Sequence, residues 1–175
     1  MGLKYKISSC GDTMLNRMIL IGLITVLLPQ CSLFFRTSVP IRTIYHQTTK
    51  TVGADTLVIF LPGRHSKAED FATEGFVRLL QSSAQPIDSV AVDAHLGYYI
   101  NRNLIERLAQ DVVQPARNNG YKKIWIVGIS IGGIGALLYN EKYHTTIDGV
   151  MVLAPFLGDK EVVNEIASSG PPSRG

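Results

Sequence analysis

Lys122-Lys123-Ile124-Trp125-Ile126-Val127-Gly128-Ile129-Ser130-Ile131-Gly132-Gly133-Ile134-Gly135-Ala136-Leu137-Leu138-Tyr139 changes character halfway along. Ile124 to Val127 is a β-branched and aromatic run, the composition of a buried strand. Residues 134–139 continue as an apolar helix. Between them Gly128-Ile129-Ser130-Ile131-Gly132 fits the G-x-S-x-G turn, in which a strand bends sharply into a helix with a serine at its tip. Side chains at 128 or 132 would meet the neighbouring strand or helix, so glycine is needed there. The helix that follows begins directly behind Ser130, where its free N–H groups favour a developing oxyanion. Two blander readings compete: a glycine-rich strand-to-helix turn without chemistry, and a phosphate cradle. The phosphate cradle would need a lysine followed by serine or threonine after the glycines, and this turn has neither.

Working outward, short apolar runs alternate with helical patterns. Residues 56–61 (TLVIFL) are a continuous apolar run too short for a helix, and they end in Pro62-Gly63-Arg64-His65-Ser66. Ser66 with Glu69 predicts a capping box opening a helix, with Phe71, Val77 and Leu80 at helical spacing and Gly75 weakening it. Residues 89–92 form the next short strand, leading to Asp93, His95, Tyr98 and Tyr99. Residues 103–117 form an amphipathic helix with Leu104, Ile105, Leu108, Val112 and Val113 on one face, ended by Pro115 and Asn118-Asn119-Gly120. Residues 149–153 (GVMVL) are a fourth buried strand, and residues 160–167 a last helix. Residues 41–46 suit an antiparallel edge strand. The alternation across residues 56–167 predicts an α/β fold, a mostly parallel sheet with helices on both faces. Trp125 reads as core.

The totals narrow the function. With 46% hydrophobic residues the chain can bury one core, and its net charge of +3 comes from scattered Lys and Arg rather than a basic stripe, so nucleic acid is not an expected partner. Cys10 and Cys31 precede the globular part and have no metal-ligand spacing, and no metal or organic cofactor is indicated. Residues 1–37 read as a signal or membrane anchor plus connector. Lys4, Lys6 and Arg17 precede the uncharged stretch 18–28 (MILIGLITVLL), the layout of an export signal and short for a spanning helix. Cys31, following this stretch and preceding Ser32, resembles the end of a bacterial lipoprotein signal, although Gln30 stands where a small residue is usual. The expected place is the bacterial cell envelope, exported or membrane-anchored, with Cys31 as a candidate lipidation site. The domain is expected over residues 38–167 and an irregular tail over 168–175.

The elbow at Gly128 to Gly133, the strand with its Leu61-Pro62-Gly63 turn, and the strand ending Leu153-Ala154-Pro155 together resemble the α/β-hydrolase superfamily of serine esterases, lipases and peptidases over about residues 38–167. That resemblance implies Ser130 as nucleophile and, as the oxyanion hole, the N–H of Ile131 with that of Arg64, His65 being the alternative second donor, and an ester or related acyl bond as substrate. It also implies a triad in the order Ser, acid, His. Asp159 is the candidate acid, a helix N-cap being its alternative role. His144, the histidine that follows Ser130, falls at the wrong sheet edge. His95 is the candidate base, reaching from the adjacent strand, with a structural role as the alternative. The sequence reads as stopping before the strands that would carry acid and base. A second reading is therefore a truncated, inactive fragment or a membrane-tethered binding module, with self-association through an exposed sheet edge.

Overall fold

A computed structural model of the chain describes residues 36–50 and 53–155. One compact unit begins at Thr37. The cysteines, the apolar stretch 18–28, Asp159 and the predicted helix 160–167 lie outside the described residues.

Five strands form one sheet: β1 (Thr43–His46), β2 (Thr56–Leu61), β3 (Ile87–Val92), β4 (Lys123–Ile129) and β5 (Gly149–Leu153). Their order is β1-β3-β2-β4-β5. β1 runs antiparallel to β3, with Thr43 opposite Val92, as the period-two pattern predicts for an edge strand. The other pairings are all parallel. In the register Leu61 lies opposite Gly128, and Gly128 opposite Val152. The Pro62-Gly63 turn, the serine turn and the end of β5 therefore emerge side by side at one edge of the sheet.

Helices cover both faces. On one face, Leu57, Ile59, Leu61, Ile124 and Ile126 are buried beneath α3 (Leu96–Ile100), α4 (Leu104–Arg107), a π-helical turn (Leu108–Val113), α5 (Gln114–Asn118) and α6 (Ile131–Tyr143). Tyr98, Leu108, Val112 and Tyr139 supply much of that core. On the other face, Val58, Phe60 and Ala91 pack against α1 (Asp70–Thr73) and α2 (Phe76–Gln81), with Phe60 stacked on Phe71 at 4.6 Å.

Four sequence expectations change in detail. The helix predicted from Ser66 starts later: Glu69 occupies the N-cap position without a side-chain cap bond, and Asp70 accepts the Lys67 N–H at 2.9 Å instead. Gly75, at φ 87°, divides that helix into α1 and α2, because only glycine takes the left-handed conformation there without steric cost. Pro115 does not end its helix. It lacks an N–H for the ladder, and the widened π turn just before it precedes a last α-helical turn to Asn118. Trp125 is not core but 39% exposed, since it lies on the face that α1 and α2 leave open near β4 and β5.

At the N-terminal ends of the strands, polar side chains satisfy backbone groups. Buried Asp88 accepts from the Thr48 N–H and the Tyr121 hydroxyl, each at 2.6 Å. Asp148 accepts from the Ile124 N–H at 2.8 Å and from Arg117 at 2.9 Å. Arg117 also donates to the carbonyls of Thr146 and Lys122. These bonds tie the start of β5 to β4 and to α5.

Candidate active site

The turn from β4 into α6 is set by backbone contact. A methyl group placed on Gly128 would lie 2.1 Å from the Gly132 carbonyl oxygen, and one on Gly132 would lie 2.2 Å from the Leu61 carbonyl oxygen. Atoms do not approach that closely, so neither position admits a side chain unless β2, β4 or α6 moves. The crowding also explains the serine's backbone. Ser130, the N-cap residue of α6, has φ 53° and ψ −115°, a region a non-glycine residue enters only when its surroundings force it there. Its N–H donates to the Leu153 carbonyl at 3.0 Å, and its own carbonyl accepts from the Gly133 N–H at 3.0 Å. The turn is thus held by β5 on one side and by the first turn of α6 on the other.

Ile131 is the first residue of α6, where a backbone N–H has no carbonyl partner inside the helix. Opposite it lies the turn after β2. A methyl group on Gly63 would sit 3.7 Å from the Ser130 Cβ, which places that turn in contact distance of the serine. Arg64 follows directly and is exposed, as is His65. The Ser66 N–H closes the turn onto the Gly63 carbonyl at 3.1 Å. The structure therefore brings together Ser130, Ile131 and the segment carrying Arg64. Beside them is a small cleft of about 50 Å³ bordered by Gly63, Ser66, Phe71, Phe76 and Ile129, with Asp70 and Glu74 at its rim. Ser66, read from sequence as a cap, is a wall of that cleft.

His95 is placed differently from the sequence expectation. It follows β3, and β2 stands between β3 and β4. The serine strand is therefore two strand spacings from β3, about 10 Å, rather than adjacent to it. His95 N-caps α3: its Nδ1 accepts the Gly97 N–H at 3.1 Å, and its ring lies 4.7 Å from that of Tyr98. A neutral imidazole that accepts at Nδ1 carries its proton on Nε2, so the nitrogen left over is a donor rather than a base. His144 lies after α6, at the opposite edge, as the topology requires. Asp93 joins an exposed cluster: Arg42 pairs with Glu69 and, at 3.5 Å, with Asp93. The Arg42 hydrogen bond and charge hold the Glu69 carboxyl below its ordinary range. No sequence signal marks Arg42, because only the antiparallel pairing of β1 with β3 brings it there. Among the described residues no group of His, Cys, Asp and Glu could hold a metal ion. Among them, too, no helix is long and apolar enough to cross a membrane.

No protein-family model and no curated protein matches the chain. Solved structures do. The mature form of the lipase BlEst2 from Bacillus licheniformis is 14% identical, aligned over 65% of this chain and 46% of its own, with a TM-score of 0.52. The propeptide form of that lipase is 15% identical over 65% of this chain and 25% of its own, with a TM-score of 0.51. A dienelactone hydrolase from Anabaena variabilis is 18% identical over 66% of this chain and 57% of its own, with a TM-score of 0.49. The chain spans about half the length of the mature lipase and of the dienelactone hydrolase. At such identities the likeness concerns the fold. The protein has the α/β-hydrolase fold, over the part that carries the serine turn.

Proposed function

We propose that this protein is a serine hydrolase of the α/β-hydrolase type, which uses Ser130 to attack an ester or related acyl bond. The observation that carries the reading is the strained φ of Ser130, enforced by two glycines with no room for a side chain. Strain of this kind costs on the order of 1–3 kcal/mol and persists where the surroundings over-determine it. In the reaction, Ser130 Oγ bonds to the acyl carbon as its proton passes to a base. The tetrahedral oxyanion is held by the N–H groups of Ile131 and Arg64, collapse expels the alcohol as the base returns that proton to it, and water, giving a proton to the same base, then cleaves the acyl-enzyme and regenerates the Ser130 hydroxyl. Asp159 is the proposed acid orienting the base. The N-terminal segment would export the domain or tether it to the cell-envelope membrane, with Cys31 as the residue that would take a lipid.

A second reading has its own observation. His95, the histidine expected beside Ser130, caps α3 from beyond β2. In that reading the chain presents a serine without a base and serves as a membrane-tethered binding module. β5 has a paired neighbour on one side only among the described residues. Its outer edge is where a second copy would add.

Hydrolysis of a short-chain aryl ester by the full chain, with Ser130→Ala as control, separates the two readings. The hydrolase reading expects turnover that falls on the order of 10³-fold or more in the variant. Equal rates in both proteins would leave only the second reading.

A further inference from the structure

The cleft beside Ser130 measures about 50 Å³, room for one or two groups the size of a water molecule at about 30 Å³ each. Two walls fix its place relative to the serine. Ile129, the residue before Ser130, forms one, and Gly63, whose added methyl would lie 3.7 Å from the Ser130 Cβ, forms the other. Phe71 and Phe76 close the cleft from α1 and α2. On the same sheet face, an apolar groove of about 510 Å³ runs across β2, β4 and β5, lined by Phe60, Trp125, Val127, Met151 and Leu79. Val127 of the groove and Ile129 of the cleft alternate onto one face of β4, so the two spaces follow one another along that strand. Phe76 borders both. Its ring meets Phe60 of the groove edge-to-face at 6.0 Å and Phe71 of the cleft edge-to-face at 5.6 Å. It is the partition between the small space at the serine and the large one beyond.

We propose that this cleft receives the acyl group of the substrate and that Phe76 limits its length, so that the preferred substrates are esters of acetic or propionic acid. The inference rests on Ser130 being the nucleophile and deepens that reading. Once Ser130 Oγ bonds to the acyl carbon, the oxyanion, the acyl chain and the departing alcohol each need a place. The oxyanion lies at the N–H groups of Ile131 and Arg64. The alcohol must take up a proton as it leaves and then give way to water. Phe71, Phe76 and Ile129 offer neither a proton nor a hydrogen bond, so the alcohol side faces solvent. The same apolar walls suit the acyl chain, which stays bound through both steps and gains by leaving water. A longer chain would have to displace the Phe76 ring from its contacts with Phe60 and Phe71. In a pocket of fixed size one methylene too many costs about tenfold or more in kcat/KM.

The experiment measures kcat/KM of the folded full chain for the p-nitrophenyl esters of acetic, butyric and octanoic acid, each corrected for the rate of Ser130→Ala, and repeats the series with Phe76→Ala. The wild-type value is expected to fall about tenfold or more from acetate to butyrate, with octanoate lower still. Phe76→Ala opens the cleft toward the groove, and the butyrate-to-acetate ratio rises about tenfold or more. Should Phe76→Ala fail to fold, Phe76→Leu, which keeps an apolar residue of shorter reach, raises the ratio to a lesser degree. Because the alcohol is the same throughout, a general loss of stability lowers all the rates together and leaves the ratio fixed. Equal or higher values for butyrate or octanoate in the wild type, or an unchanged ratio in a folded Phe76 variant, overturn this inference and leave Ser130 as nucleophile. Turnover of none of these esters overturns it together with the reading it rests on.

Discussion

The two ends of the same parallel strands are built on opposite terms. At the N-terminal ends, buried Asp88, half-buried Arg117 and exposed Asp148 direct their hydrogen-bonding groups to backbone amides, carbonyls and one tyrosine. At the C-terminal ends the backbone itself is forced. Ser130 and Ala154, the residues just after β4 and β5, both have positive φ, at 53° and 42°. Polar groups at the first edge stabilise the domain, whereas strain at the second edge is held by packing and sets the Ile131 N–H at the first position of α6, where it has no intrahelical partner. One sheet can support both because the register fixes them independently: the crowding at Gly128 and Gly132 depends on β2, β4 and α6, not on the anchors below.

The contrast is broken most severely by Gly132→Ala. Its methyl would lie 2.2 Å from the Leu61 carbonyl oxygen, and both partners are backbone. A loss of about 3 kcal/mol or more is expected, at the upper end of overpacking effects, read as a collapse of the urea midpoint. Asp88→Ala attacks the other edge. It strands the Thr48 N–H and the Tyr121 hydroxyl, and about 2–3 kcal/mol should be lost, with any Ser130 chemistry unchanged in the folded fraction. Ser130→Gly sharpens the comparison by its sign. Removing the side chain relieves the positive φ, so the thermal midpoint should rise by the equivalent of about 1 kcal/mol even as acyl chemistry is lost.

The smallest effect belongs to Asp148. Hydrogen bonding from the Ile124 N–H, with Arg117 beside it, holds its carboxyl below the usual value. A depressed native pKa gives stability that is present above the unfolded value, about 3.9, and is lost as pH falls through the native one. The side chain is well exposed, so solvent screening limits the contribution to at most about 1 kcal/mol. Asp148→Asn should therefore lose that contribution, at most about 1 kcal/mol, at neutral pH and converge on the wild type below about pH 4, which flattens the acid limb of the stability-versus-pH curve.

Much of this molecule is legible in its residues. Continuous apolar runs such as residues 56–61 and 124–127 mark strands because a parallel sheet is buried on both faces. The serine turn is legible because glycines at 128 and 132 are a steric requirement of that backbone. What sequence does not carry is lateral order. Nothing in residues 87–95 says that β3 pairs on the far side of β2, and this is why His95 reads as a neighbour of Ser130 until the sheet is seen. Nor does a strand's composition reveal which face is covered. Trp125 has the pattern of a core residue and stands over an open groove. Ser66 and Glu69 have capping-box spacing, yet Asp70 accepts the Lys67 amide and Arg42 takes Glu69. At Glu69 a tertiary partner, Arg42, overrides the local preference.

The most direct test of Ser130 as an activated nucleophile is covalent. The folded full chain is treated with a fluorophosphonate, and the modified peptide is located by mass spectrometry. The expected result is one adduct on Ser130, absent from Ser130→Ala and from heat-unfolded protein. A folded chain that takes no adduct, or takes it at another residue, would show that this strained turn presents a serine without making it reactive.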